Sequence, residues 1–189
     1  MKNFMTLPLF AFLVVVQLAV PAWMITSRER TLRDGESYKF KTAPVDPYDP
    51  FRGRYVALAV EPNEAPLPQG AALRRNQKVY AILERDEEGF AKVTELRLTR
   101  PEADNYIRVK VSYVSNNSAT LRWPFDRYYM DEDLAPEAEE AYRYNSRREN
   151  RKAHLLVRVR DGAAVLEELY IEGKPIGEYL EGFLANEAG

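Results

Sequence analysis

The sequence predicts a mainly β, α+β protein: an N-terminal transmembrane helix followed by an antiparallel β-sheet or barrel domain with one inserted helix. Three observations carry this. Phe4 to Ile25 contain no charged side chain. Beyond them, several segments alternate apolar and polar residues with period two, as half-buried strands do. One later stretch, Pro124 to Lys152, drops the alternation and sets acidic residues ahead of basic ones, with Pro136 placed for a first helical turn.

The first element is FMTLPLFAFLVVVQLAVPAWMI, which reaches the roughly 20 residues that cross a bilayer core. A core helix of this kind would need a small domain to cover all its faces. A cleaved signal peptide would have a shorter apolar region, about 7 to 15 residues, and a better exit than Val20-Pro21-Ala22. The expectation is an uncleaved signal anchor over residues 1–26, in contact with the lipid bilayer through residues 4–25. Only Lys2 precedes it, while Arg28, Arg30 and Arg33 follow, and a count of basic residues alone places the C-terminal side inside. The short leading tail and secretory layout favour the opposite, a single-pass protein with an extracytoplasmic, periplasmic domain. Polar residues 27–37 then predict a juxtamembrane stalk, residues 38–180 the β-rich domain, and residues 181–189 a tail.

Within the domain, Tyr38 to Val45 is the first predicted strand, with Tyr38 and Phe40 alternating with Lys39 and Lys41. RYVALAV sets Val56, Leu58 and Val60 against Tyr55, Ala57 and Ala59, and with neither face clearly polar it predicts a central strand. KVYAILE and FAKVTELRL flank RDEEG and predict a hairpin turning at Gly89. In YIRVKVSYV, Ile107, Val109, Val111 and Tyr113 alternate with polar residues, and SNN turns the chain into SATLRW. AHLLVRVR and AVLEELYI close the domain as a hairpin about Asp161-Gly162.

Composition narrows the function. The 189-residue chain has a net charge of -2, against the basic balance of nucleic-acid binders, and no nucleic-acid partner is expected. No cysteine is present, which excludes disulfides, thiolate catalysis and zinc-thiolate sites. His154 is the single histidine. With no complete catalytic set, the sequence points away from an enzyme, and no catalytic residue, cofactor or metal is assigned.

The segment PVDPYDPFRGRYVALAV holds two Asp-Pro pairs, and each residue before proline is pushed to extended geometry while its carboxylate can bond backbone amides ahead. Gly53 adds a position of unusual backbone freedom. Turn chemistry thus explains a rigid double turn aimed into a strand. The same residues resemble a family of membrane-anchored bacterial proteins named for a GDYxxLxY motif, introduced by a PVDP-type segment and an Arg-Gly pair. Gly53, Tyr55 and Leu58 match that motif, Arg54 stands where it has aspartate, and Val60 where it has tyrosine. PFDRYYMDE and VRVRDGAAVLEELYIEGKPI resemble the family's later blocks, so the likeness runs nearly the length of the chain. It implies an extracytoplasmic domain on a single span, working with a polytopic membrane protein, and no established reaction.

The resulting expectation is an interaction or accessory module for envelope and membrane proteins. Its candidate partner or ligand residues are Asp46, Asp49, Arg52, Gly53, Arg54 and Tyr55, with Arg127, Tyr128, Tyr129 and Glu132 beside them, since exposed Arg and Tyr mark partner sites. An internal Arg52–Glu132 ion pair explains two of them equally well. One alternative is a tethered Ser/Lys hydrolase related to signal peptidases, using Ser27 or Ser37 with Lys39 or Lys41, although no Ser-Met-x-Pro segment is present. Another is a ligand-binding domain. Asp131, Glu132 and Asp133 lack the spacing of a calcium loop and suit a helix N-terminus. Arg143, Arg147 and Arg151 recur every four residues, and on one helix would form a solvated stripe able to meet anionic surfaces.

Overall fold

The uncharged run folds as one helix, α1 (Thr6–Asp34), which continues through the arginines beyond it. The computed structural model describes residues 6–43, 55–68, 70, 72–131, 133–147, 150 and 152–187. Among these, α1 is the one helix long and apolar enough to cross a membrane, and the domain covers none of its apolar stretch. Phe10, Leu18 and Trp23 all face outward, Trp23 with 71% exposure. A core helix is therefore ruled out.

Residues 27–37, expected as a stalk, are helical to Asp34, and the first strand opens at Glu36. The helix end is docked on the domain. Thr31 is buried, the Gly35 amide donates to the Thr31 carbonyl at 3.0 Å, and Arg160 donates to the Asp34 carboxylate at 2.8 Å. Gly35 permits the approach, since a Cβ there would lie 2.3 Å from the Thr31 carbonyl oxygen and 3.1 Å from that of Val159.

The strands are β1 (Glu36–Ala43), β2 (Tyr55–Ala57), β3 (Ala59–Glu61), β4 (Glu64–Pro66), β5 (Lys78–Arg85), β6 (Ala91–Arg97), β7 (Tyr106–Val114), β8 (Ser118–Arg122), β9 (Arg127–Tyr129), β10 (Ala153–Arg160), β11 (Ala163–Ile171) and β12 (Lys174–Pro175). One antiparallel sheet runs β12-β11-β10-β1-β3, a second runs β4-β8-β7-β5-β6, and β2 pairs with β9 as a separate ribbon. Bridges from Lys39 to Phe90 and from Ile107 to Gly162 join the two large sheets, which nearly close into a barrel. Inside lie Phe40, Val79, Ala81, Ile107, Val111, Leu155, Val157, Leu169 and Ile171, with no appreciable exposure. Phe40 meets the rings of Trp123 and Phe125 edge-on, both with centroids at 5.2 Å.

The strand periods are observed where expected in β1, β5 and β10, whereas β6 slips at Thr94, so that Val93 and Leu96 are both buried. Other elements differ. RYVALAV keeps Val56, Leu58 and Val60 buried, but it is no central strand: the Leu58 amide donates to the Asp126 carbonyl, and the chain leaves β9 to pair at the end of the other sheet. In β7 the register slips between Val111 and Tyr113, so Tyr113 faces solvent and Val114 packs inward. A bulge changes the parity of every residue after it. Arg127–Tyr129, expected within the helical stretch, is strand β9.

The inserted helix, α2 (Ala135–Asn145), is shorter than the stretch that suggested it, with Pro136 in its first turn as expected. The Asn145 side chain is buried, donating to the Ala141 carbonyl at 2.9 Å, and the Asn145 backbone carbonyl accepts the Lys152 amide at 3.0 Å. These bonds end the helix by satisfying its last turn. A second helix, α3 (Ile176–Glu187), occupies the expected tail and the end of the domain before it, with Ile176 and Leu180 buried.

Candidate functional site

The ribbon of β2 and β9 gathers the described part of the expected site. Tyr55 pairs with Tyr129, Val56 with Tyr128 and Ala57 with Arg127, so alternate side chains go to opposite faces. On the outer face the Tyr55 and Tyr129 rings lie 5.8 Å apart, and the Arg127 guanidinium stacks 4.8 Å from the Tyr55 ring centroid. Tyr129 is 68% exposed. Among the described residues the one carboxylate near Arg127 is that of exposed Asp126, at 3.8 Å, which in solvent holds it weakly. The result is a cation–aromatic patch with the guanidinium already over a ring, an arrangement whose chemistry suits carboxylates or peptide faces.

Tyr128 does not share that face. It is half-buried and donates to Glu168 at 2.6 Å. Burial first, and then the Glu168 carboxylate, push its hydroxyl well above its ordinary value. Asp46, Asp49, Arg52, Gly53, Arg54 and Glu132 lie outside the described residues, as does any Arg52–Glu132 pair. Both neighbours of that segment are defined, because Ala43 ends β1, Tyr55 opens β2, and Ala43 sits opposite Ala59 in the sheet.

A residue that sequence reasoning did not select holds this junction. Tyr142 of α2 is buried, its hydroxyl 3.2 Å from the carbonyl oxygens of both Ala43 and Ala59 and accepting the Ala59 amide at 3.2 Å. One hydroxyl proton serves one carbonyl at a time, so the two bonds alternate. The only sequence clue was an aromatic at a core-facing helical position.

The alternative chemistries do not assemble among the described residues. No serine hydroxyl there is bonded to a lysine. Ser27 lines a cavity beside Arg28, and Lys41 is held by Glu88 at 2.6 Å and Asp86 at 3.4 Å. Hydrogen bonding to Glu88 raises the Lys41 pKa, opposite to what a lysine base requires. No group of three acidic or histidine ligands converges among the described residues. Asp131 turns back to accept the Asp133 amide at 3.2 Å. The arginine stripe does not form as one face: Arg143 is on α2, Arg147 follows its end, and Arg151 lies outside the described residues.

His154 is a packed residue. Its ring stacks on Tyr170 at 5.1 Å and meets Phe90 edge-on at 6.0 Å. Burial, and then the Lys39 charge, lower its pKa below 6.5. The unfolded chain therefore takes up this proton first, so stability holds above about 6.5 and declines as pH falls through the depressed folded value. Thermal melts of the full chain in detergent at descending pH should show that decline, and His154→Phe should reduce it.

The family model described as "GDYXXLXY protein" matches residues 17–169. No curated protein and no solved structure gives a significant match. The matched stretch runs from within α1, across the ribbon and its neighbouring segment, almost to the end of β11. By that match over most of its length, with Gly53, Tyr55 and Leu58 at their motif positions, the chain belongs to the GDYXXLXY protein family.

Proposed function

We propose that the protein is a membrane-anchored accessory module whose domain lies outside the cytoplasm and engages another envelope or membrane protein. The carrying observation is the patch of exposed Arg127 and Tyr129 with half-buried Tyr55, set on a ribbon contiguous with the family motif. Arginine and tyrosine are the residue types that concentrate binding energy at protein interfaces, and a pre-stacked pair loses little freedom on docking. The docked end of α1 supports the anchor reading, because the helix passes through Val20-Pro21-Ala22 without interruption and ends packed on the domain.

The absence of native cysteine permits a clean test. A single cysteine replacing exposed Asp131 can carry a photo-crosslinker in the native membrane. The expected result is labelling by an impermeant maleimide from outside, and a discrete adduct with one membrane protein that disappears in a Tyr55→Ala, Arg127→Ala background with an unchanged melting curve. An adduct that survives those substitutions would remove the patch from the interface, and labelling only from the cytoplasmic side would reverse the orientation.

A further inference from the structure

Where α1 meets the domain, three neighbouring cavities of about 550, 210 and 270 Å³ share Ser27, Arg28, Thr31 and the start of β11 among their walls. The middle one is lined by Arg28 from the helix and Arg108 from β7, with Ser27, Thr31 and Pro124, and no acidic side chain. The cavity on one side adds Trp23, Arg30 and Arg160. Two of the acids bordering the groove are already engaged, Glu167 bidentately by Arg158 and Asp161 by Arg100 at 3.1 Å. Arg28, Arg30 and Arg108 have no ion-pair partner among the described residues. Unlike the cavity at the end of β1, where Lys41 is neutralised by Asp86 and Glu88, this groove retains net positive charge.

Its position defines what can reach it. Trp23, exposed on α1, is the kind of side chain that settles at a membrane–water interface. Arg28 follows by five residues, about 7.5 Å along a helix, which is headgroup depth when Trp23 sits at the acyl boundary. Guanidinium pairs match phosphate oxygens in geometry as well as charge.

We propose that the groove between α1 and the domain binds the phosphate of an anionic phospholipid from the leaflet that α1 enters, with Arg28 and Arg108 as its principal donors. This rests on α1 being in the bilayer. Lipid binding there would fix the rotation of the domain on the membrane and so decide which way the Tyr55–Arg127 patch faces.

The test uses the full chain with vesicles of phosphatidylcholine alone and of equal parts phosphatidylcholine and phosphatidylglycerol, followed by detergent extraction and native mass spectrometry of retained lipid. Phosphatidylglycerol should be retained over phosphatidylcholine. Arg28→Gln with Arg108→Gln should lower that preference roughly ten- to thirtyfold, as loss of two surface-proximal charges implies. The double lysine variant should keep part of it, and Lys174→Gln, at the far end of the β10–β11 hairpin from Gly162, should keep all of it. Flotation with both vesicles but equal retention of the two lipids would overturn this inference alone. Failure to float with either would overturn the anchor reading, and this one with it. Displacement of phosphatidylglycerol by millimolar inorganic phosphate would mark a soluble phosphate site and overturn the lipid assignment.

Discussion

Phe40→Ala should destabilise the domain by about 3–5 kcal/mol, the range for removing a fully buried aromatic ring. Phe40 has no exposed surface and touches both Trp123 and Phe125, so its loss leaves a void that two stiff rings cannot close. The site also matters topologically. β1 carries Phe40 next to the edge of its sheet, between β10 and β3, and Trp123 and Phe125 lead from β8 into β9. A void here therefore loosens the path by which the ribbon is attached. Urea titration of the full chain in detergent, followed by tryptophan fluorescence, checks it, and a loss below about 1 kcal/mol would show that this ring cluster is not a support of the fold.

Gly35→Val should separate the helix from the domain. The new Cβ would meet the Thr31 carbonyl at 2.3 Å, and backbone on both sides leaves no side chain that can swing away. Overpacking of this kind costs about 1–3 kcal/mol, and occasionally more. The expected readout is local as well as global: faster amide exchange at Gly35, whose donor bond to Thr31 is broken, together with a lower melting temperature. Unchanged exchange at Gly35 would mean that the junction accommodates the side chain and that the docking is looser than its distances imply. If it opens as expected, the Arg160–Asp34 pair and the groove beside it are lost together.

The contrast between what sequence did and did not convey follows from the range of the forces involved. Tyr38 and Phe40 alternate with lysines because one face of β1 is wet, and that pattern needs no knowledge of the partner strand. The Asp161-Gly162 turn was equally legible, since both residues adopt positive φ, 52° and 77°, and the residue choice records it locally. The break at Leu58 and the bulge before Tyr113 are set by which strand lies alongside, and no local residue announces either. Helix α3 was hidden by Gly177 and Gly182, which lower its intrinsic propensity; burial of Ile176 and Leu180 supplies what propensity does not. At the site, Arg127 and Tyr55 were selected by residue type. The inward turn of Tyr128 depended on its phase in a strand that the sequence had assigned to a helical stretch.

The bonds from Tyr142 to Ala43 and Ala59 bear on how this family can diversify. Ala43 and Ala59 are bonded to the same helical hydroxyl and paired with each other in the sheet, so the ends of the insert between them are held together by the surrounding fold. The entropy of closing such an insert changes only slowly with its length, about 0.6 kcal/mol per doubling. A change in the number of residues between Ala43 and Ala59 should then leave the scaffold's stability nearly untouched.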